Sequence, residues 1–385
     1  MAVLEEKEKL LLRLLFSDVA FDEKCMETLI PEPDIDRERI EYLLMLSILG
    51  MRYHWMYFPK WVQPRLQGIY RYYRANNLYG IPWLKEKLVL FEKQGIPVLL
   101  MKSIAMKARY AADSPRQMSD FDLAVPEEYF EKACKVLTDA GCVNTAMGAA
   151  LHARTFNDGD RSIDLHRWIF KTHGESASGL WERTESVVFQ QCNVLVMHPS
   201  DMIIHIMDNQ ARDTAMDLEC GRHMKWLFDV RSVIEQTNNY SWESVAKRAG
   251  ELGALSYLKL VLPEFSDVFP EKLSKEVLRK YFPKDDSYNK WLHKANQYRK
   301  ESEEFHSAVE ACGDNIFTPV MALRELRHLW TSWHCCYKSE LRAAGEKMNF
   351  IHYVCYSLGT DSPVGLVRKY LPAIWGTGVI DEHNK

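Results

Sequence analysis

Three aspartates carry the chemistry that this sequence advertises. Asp120 and Asp122 stand two apart in Arg116-Gln117-Met118-Ser119-Asp120-Phe121-Asp122-Leu123. The apolar residues around them predict a strand over Asp120–Val125. Successive strand side chains alternate faces, so both carboxylates share one face and Phe121 takes the other. Two carboxylates this close repel each other, and an apolar strand offers no solvent relief, so something positive must compensate. A divalent cation does so, and magnesium favours one or two carboxylates completed by waters and substrate phosphates. D-x-D alone also arises by accident in exposed loops. Here it opens an apolar strand that leads into a helix begun by Pro126 and ended by Gly141. A third carboxylate, Asp164, lies in Ser162-Ile163-Asp164-Leu165-His166, where alternation puts Ser162, Asp164 and His166 on one face. An edge strand turning its polar side to water reads the same way. Three aspartates on neighbouring strands would hold two metal ions, with Asp164 beside the attacking group as ligand and possible base.

Cationic residues stand close to these carboxylates. Lys102 ends the apolar run Ile96–Met101 and begins a short helix over Ser103–Ala111. A lysine at that junction suits an anion, and a solvated lysine at a strand end is an equal reading. Arg116 precedes the D-x-D strand, placed either to neutralise phosphate or to pair with a carboxylate. His166 and Arg167 follow Asp164; His166 would orient a substrate or the aspartate, or serve as a structural hydrogen-bonding histidine. Trp226 and Asp229 lie one turn apart on a later helix, where they border a pocket or serve packing and surface roles. No H-x-x-x-H or H-x-H pair, phosphate-binding glycine loop or G-x-S-x-G elbow is present.

The elements that must position these residues fall into three stretches. Residues 1–82 read as helical: Leu10, Leu11, Leu14 and Leu15 form one apolar face, and Ile40, Leu43, Leu44, Leu46 and Leu49 another, with Pro31 and Pro33 between them. A helix over about 62–77 is expected to break at Pro82, with helical character resuming over Leu84–Lys93. Residues 83–198 alternate strands and helices, with further strands expected at about 151–156, 161–166 and Val187–Met197. Helical periodicity returns over 199–385, through Met202, Ile203, Ile206 and Met207, then Met224, Leu227, Phe228 and Val230, and later Leu323, Leu326, Leu329, Trp330, Trp333 and Tyr337.

Composition narrows the class. The 385 residues carry a net charge of −4 and are 47% hydrophobic, which suits a globular protein and argues against a grip on long nucleic acid. Nine cysteines without paired spacing suggest thiols in a reducing compartment, not a disulfide framework or a zinc site. The early charges Glu5, Glu6, Lys7, Glu8 and Lys9 do not read as a secretory signal, and no apolar run reaches membrane-spanning length. A cytoplasmic protein is expected.

Three segments in order, G-I-P-V-L-L-M-K-S at Gly95–Ser103, R-Q-M-S-D-F-D-L-A-V at Arg116–Val125 and I-D-L-H-R-W at Ile163–Trp168, give the chain a family likeness. With K-W-L-F-D at Lys225–Asp229 and the helical lead-in Tyr57–Gln94, they cover roughly residues 40–235. The chain resembles the uncharacterised bacterial nucleotidyltransferase family of the DNA polymerase beta nucleotidyltransferase superfamily. The resemblance implies an α+β fold, a mixed-sheet core flanked by helical regions. It implies Mg2+ (or Mn2+) on Asp120, Asp122 and Asp164, and a triphosphate near the Lys102-Ser103 turn. The implied reaction moves a nucleoside monophosphate from a nucleoside triphosphate to an acceptor, releasing pyrophosphate; by position, His166, Arg167 and Trp226 are the candidates to border that acceptor. The mild acidity favours a small-molecule or peptide acceptor. One departure bears on turnover: this family usually has glycine where Ser103 stands, and a side chain there either reaches a phosphate or obstructs it. A nucleotide-binding scaffold without turnover and a carboxylate-metal hydrolase are the alternatives.

Overall fold

The computed structural model describes residues 4–30, 35, 38–110, 118, 120–144, 153–170, 179–216, 224–238, 240–286, 288–290 and 292–293. Arg116 and the periodic stretch Leu323–Tyr337 lie outside the described residues.

Alternation and apolar content build one mixed seven-stranded sheet. Its strands are β1 (Leu99–Leu100), β2 (Phe121–Ala124), β3 (Val143–Asn144), β4 (Ala153–Asp158), β5 (Arg161–His166), β6 (Glu185–Phe189) and β7 (Cys192–Val196), in the order β3-β4-β5-β2-β1-β7-β6. β2 runs parallel to β5 and β1 parallel to β7; the remaining pairs are antiparallel. The α+β class is therefore as expected. β5 lies between β4 and β2. The polar face of Ser162, Asp164 and His166 thus belongs to an interior strand, and the edge-strand reading is set aside.

Helices α1 (Glu6–Leu15), α2 (Glu23–Leu29), α3 (Ile40–Arg52) and α4 (Gln63–Lys93) precede the sheet, with α5 (Lys102–Tyr110) and α6 (Phe130–Asp139) inside its sequence. α4 corrects the expected break at Pro82: it runs unbroken through that residue. Proline removes one i→i−4 hydrogen bond, but Pro82 is exposed while Ile81, Leu84, Leu88 and Phe91 bury the opposite face. Packing on the sheet outweighs the lost bond. Gly80 lets α4 approach β2 closely; a Cβ there would lie 2.9 Å from Phe121 Cζ. Phe121 also meets Trp83 at 5.9 Å between ring centroids. α4 therefore covers the sheet face opposite the one that carries Asp122. Pro126 starts a 3-10 turn (Glu127–Tyr129) before α6, and Gly141, at φ +86°, ends that helix as expected.

The single strand expected over Val187–Met197 is instead the hairpin of β6 and β7. Its turn, Gln190-Gln191, has positive φ at both residues (51° and 69°), the backbone of a two-residue primed turn. Glutamine is not a residue that announces such a turn, so the reversal left no mark in the sequence. After the sheet come α7 (Pro199–Met216), α8 (Met224–Glu235), α9 (Trp242–Glu251), α10 (Leu255–Val268) and α11 (Lys275–Tyr281). No described helix is long and apolar enough to cross a membrane.

Candidate active site

The register of the parallel pair β2–β5 sets the centre of the site. Asp122 lies directly beside Asp164, and Ala124 beside His166. Parallel neighbours point the same way, so Asp122 and Asp164 share a face. Asp120, expected as the first residue of the strand, sits instead at the bend one residue before β2, and still brings its carboxylate to the other two. One carboxylate oxygen from each of the three lies within 4.8 Å of the others. Asp122 is buried and the other two are half-buried.

Each carboxylate on the two strands is anchored by a neighbour. Lys102 Nζ donates to Asp122 Oδ1 at 2.5 Å, and His166 Nε2 lies 3.1 Å from the same oxygen. Burial works against charge on Asp122, but the His166 hydrogen bond and the Lys102 ammonium hold its carboxyl far below the usual range. Burial likewise opposes charge on Lys102, yet Asp122, with Asp120 and Asp164 beyond it, keeps its pKa raised. The pair is ionised at neutral pH. On β4, Thr155 stands cross-strand from Asp164 and donates its hydroxyl to Oδ1 at 2.6 Å. Thr155 gave no signal in the sequence, because its role depends on strand pairing.

The β1–α5 junction turns sharply. Lys102 has φ +48°, a left-handed conformation unusual for a residue with a side chain, while Ser103 is not among the positive-φ residues. Glycine's conformational freedom is thus not required at position 103. The Met101 N–H bonds to Asp122 O at 3.0 Å, tying this turn to β2. The first turn of α5, with Lys102 and Ser103, opens onto the carboxylates.

A cleft of about 270 Å³ lies over this face, lined by Lys102, Ser103, Asp120 and Asp122 on one side. The opposite wall is α7 and α8, through His205, Asn209, Gln210, Lys225, Trp226 and Asp229. Asp201 fixes α7: buried at 1% exposure, it accepts from Arg183 Nε at 2.9 Å and Arg248 Nε at 2.6 Å. Glu41 of α3 accepts from the Lys225 backbone N–H at 2.5 Å and holds the start of α8. Trp226 combines both roles considered for it, since it lines the cleft and also packs near Phe265.

Three expected residues do not line the cleft: Asp164, which joins Asp120 and Asp122 from β5, His166 and Arg167. His166 contacts Asp122 and does not line the cleft. Arg167 reaches Glu127 at 3.2 Å and stacks over Phe130, outside the cleft wall. The reason is strand alternation: next to His166, Arg167 is thrown to the other side. His205, Asn209, Gln210 and Lys225 were missed. Their signal was a polar pair at i, i+4 (His205 and Asn209) interrupting an apolar helix.

Residues 36–267, more than half of the chain, match a family described as uncharacterised nucleotidyltransferase. The chain belongs to that family. The match spans the whole sheet and every residue that lines the cleft. No curated protein matches the chain. Solved structures of one protein are among those similar to part of it. A solution structure of the antibiotic-resistance factor ANT(2'')-Ia is 14% identical, covering 45% of this chain and 91% of that one with a TM-score of 0.34. A crystal structure of ANT(2'')-Ia with adenylyl-2''-tobramycin is 16% identical, covering 45% and 97% with a TM-score of 0.35.

Proposed function

We propose that this member of the family transfers a nucleoside monophosphate from a nucleoside triphosphate to an acceptor lodged against α7 and α8, with release of pyrophosphate. The observation that carries the reading is the convergence of Asp120, Asp122 and Asp164 within 4.8 Å of one another, with Asp120 and Asp122 lining a cleft walled by helices. A set of carboxylate oxygens this tight, one of them buried, suits a hard divalent cation. Mg2+ or Mn2+ held by the three aspartates would polarise the reacting phosphate and offset the charge of the leaving pyrophosphate.

The chain's own groups divide the remaining work. Lys102 and the first turn of α5, with the Ser103 hydroxyl, bind the triphosphate. His166 holds Asp122 in orientation through Oδ1. Thr155 engages Asp164 Oδ1, leaving Oδ2 to take the proton from an acceptor hydroxyl. Asn209, Gln210, Lys225 and Asp229 offer the acceptor hydrogen-bond partners of both kinds. A pocket of this size favours a small molecule or the end of a peptide. The scaffold alternative rested on Ser103, and the left-handed residue at that junction is Lys102. The hydrolase alternative needs a second histidine beside His166, which already contacts Asp122, and the group that could hold a metal among the described residues consists of the three aspartates.

Calorimetric titration of Mn2+ and a non-hydrolysable triphosphate into the protein tests the site. Asp120→Asn and Asp122→Asn, each checked for folding by circular dichroism, should abolish metal-dependent binding of the triphosphate. Unchanged affinity in both folded variants would remove the metal-site reading.

A further inference from the structure

The first half of α4 carries an outer surface that the catalytic reading does not use. Its later half packs behind the sheet, but over Gln63–Tyr79 the exposed residues include Arg65, Arg71, Tyr72, Arg74, Leu78 and Tyr79. Tyr72 and Tyr79 are 67% and 76% exposed, among the barest large side chains described. Residues seven apart lie two turns apart on nearly one line, so Arg65, Tyr72 and Tyr79 form a row with steps of about 10 Å. Gly68 and Ala75, both exposed and small, form the adjoining row, and Arg71 and Leu78 the row beyond it, about 100° around the helix from the tyrosines.

The same stretch of chain concentrates positive charge. From Tyr42 to Lys85 the sequence contains no aspartate or glutamate and six cations: Arg52, Lys60, Arg65, Arg71, Arg74 and Lys85. The chain as a whole is acidic, so this segment is a concentrated exception. Lys60, Arg71 and Arg74 form no ion pair among the described residues.

We propose that this surface of α4 binds single-stranded nucleic acid, its tyrosine rings stacking on bases and its arginines meeting phosphates. Exposed rings interleaved with unbalanced cations are the pairing such a strand requires, and stacking tolerates any base. A membrane surface fits less well, because Arg65, Gly68, Arg71 and Ala75 interrupt the continuous apolar face that an interfacial helix inserts. A second copy related by two-fold symmetry would set the same cations against each other. The surface lies on an element packed behind the sheet, so the proposal does not depend on the transfer reaction.

The test is fluorescence anisotropy of the full chain with a labelled 20-nucleotide oligo-U RNA and, in parallel, oligo-dT DNA, at low and moderate salt. The expected result is salt-sensitive binding of at least one of them. Arg71→Glu with Arg74→Glu should weaken it at least tenfold and flatten the salt dependence. Tyr72→Ala with Tyr79→Ala should weaken it about tenfold while leaving the salt slope in place. Comparison of the two strands tells whether the 2′-hydroxyl contributes. No binding of either oligonucleotide at low salt overturns the proposal, as does binding that all four substitutions leave unchanged. Co-sedimentation with phosphatidylserine vesicles, or a dimer lost on Tyr72→Ala with Tyr79→Ala, in the absence of oligonucleotide binding, overturns it in favour of a lipid surface or a second copy.

Discussion

Asp122 is the residue on which the site turns, because burial, Lys102 and His166 all act on one of its oxygens. The sequence made Asp122 and Asp120 legible through alternation and apolar context alone. Asp164 was legible only as half of a polar strand face, and pairing with β2 decided its place. The support given by Thr155 depends on a partner nine residues away across a strand pair, which no local pattern encodes. Thr155→Val keeps the shape and removes the hydroxyl that holds Asp164. Nucleotide transfer should fall by about 10–100-fold, the usual scale for groups that orient metal-binding residues. Thr155→Ser should restore most of it, because serine keeps the donor. The rates of pyrophosphate release for the three proteins check this; equal rates for valine and threonine would show that Asp164 needs no support.

Among elements, turns and packing account for most of what could not be read. The β6–β7 reversal uses Gln190-Gln191 in a left-handed backbone that glutamine disfavours. Replacing the pair by Asn-Gly should stabilise the protein by about 1–2 kcal/mol, by relieving that strain. The midpoint of urea denaturation measures it, and a lower midpoint would contradict the turn assignment. Pro82 misled in the opposite direction: a local helix-breaking signal yielded to the burial of Leu84, Leu88 and Phe91 beneath the sheet. Gly80→Ala puts the same interface to the test. Alanine favours a helix by about 1 kcal/mol, but its Cβ would meet the buried Phe121 ring at 2.9 Å. A net loss of about 1 kcal/mol is expected, and a gain would mean that α4 can retreat from β2 without cost.

At the scale of the whole molecule, one half-buried acid links stability to pH. Glu264 on α10 is pushed up to about 7, first by burial and then by Glu8, with Lys9 opposing. Below its ordinary value of 4.5 the group is protonated in both folded and unfolded chains. As pH rises from there to about 7, the unfolded chain releases a proton that the folded one keeps, so stability declines over that window and then levels. Glu264→Gln should therefore be more stable than the parent at pH 8, by on the order of 2 kcal/mol, and equal to it at pH 4. Urea melts at the two pH values test this, and a difference that persists at pH 4 would point to another cause. Whole-chain charge was also a coarse guide: a net −4 conceals the acid-free segment on α3 and α4.

Nucleotidyl transfer at the Asp120–Asp122–Asp164 cluster is the proposed reaction. Its most direct test is to incubate the purified protein with Mg2+, each α-labelled nucleoside triphosphate in turn and fractionated cell extract as the acceptor source, following pyrophosphate release and transfer of label together. The expected result is one triphosphate that yields both in equal amounts, with Asp122→Asn reducing the rate by at least about 10²–10³-fold. Tight nucleotide binding with no labelled product from any fraction, or equal rates for parent and Asp122→Asn, would contradict the account.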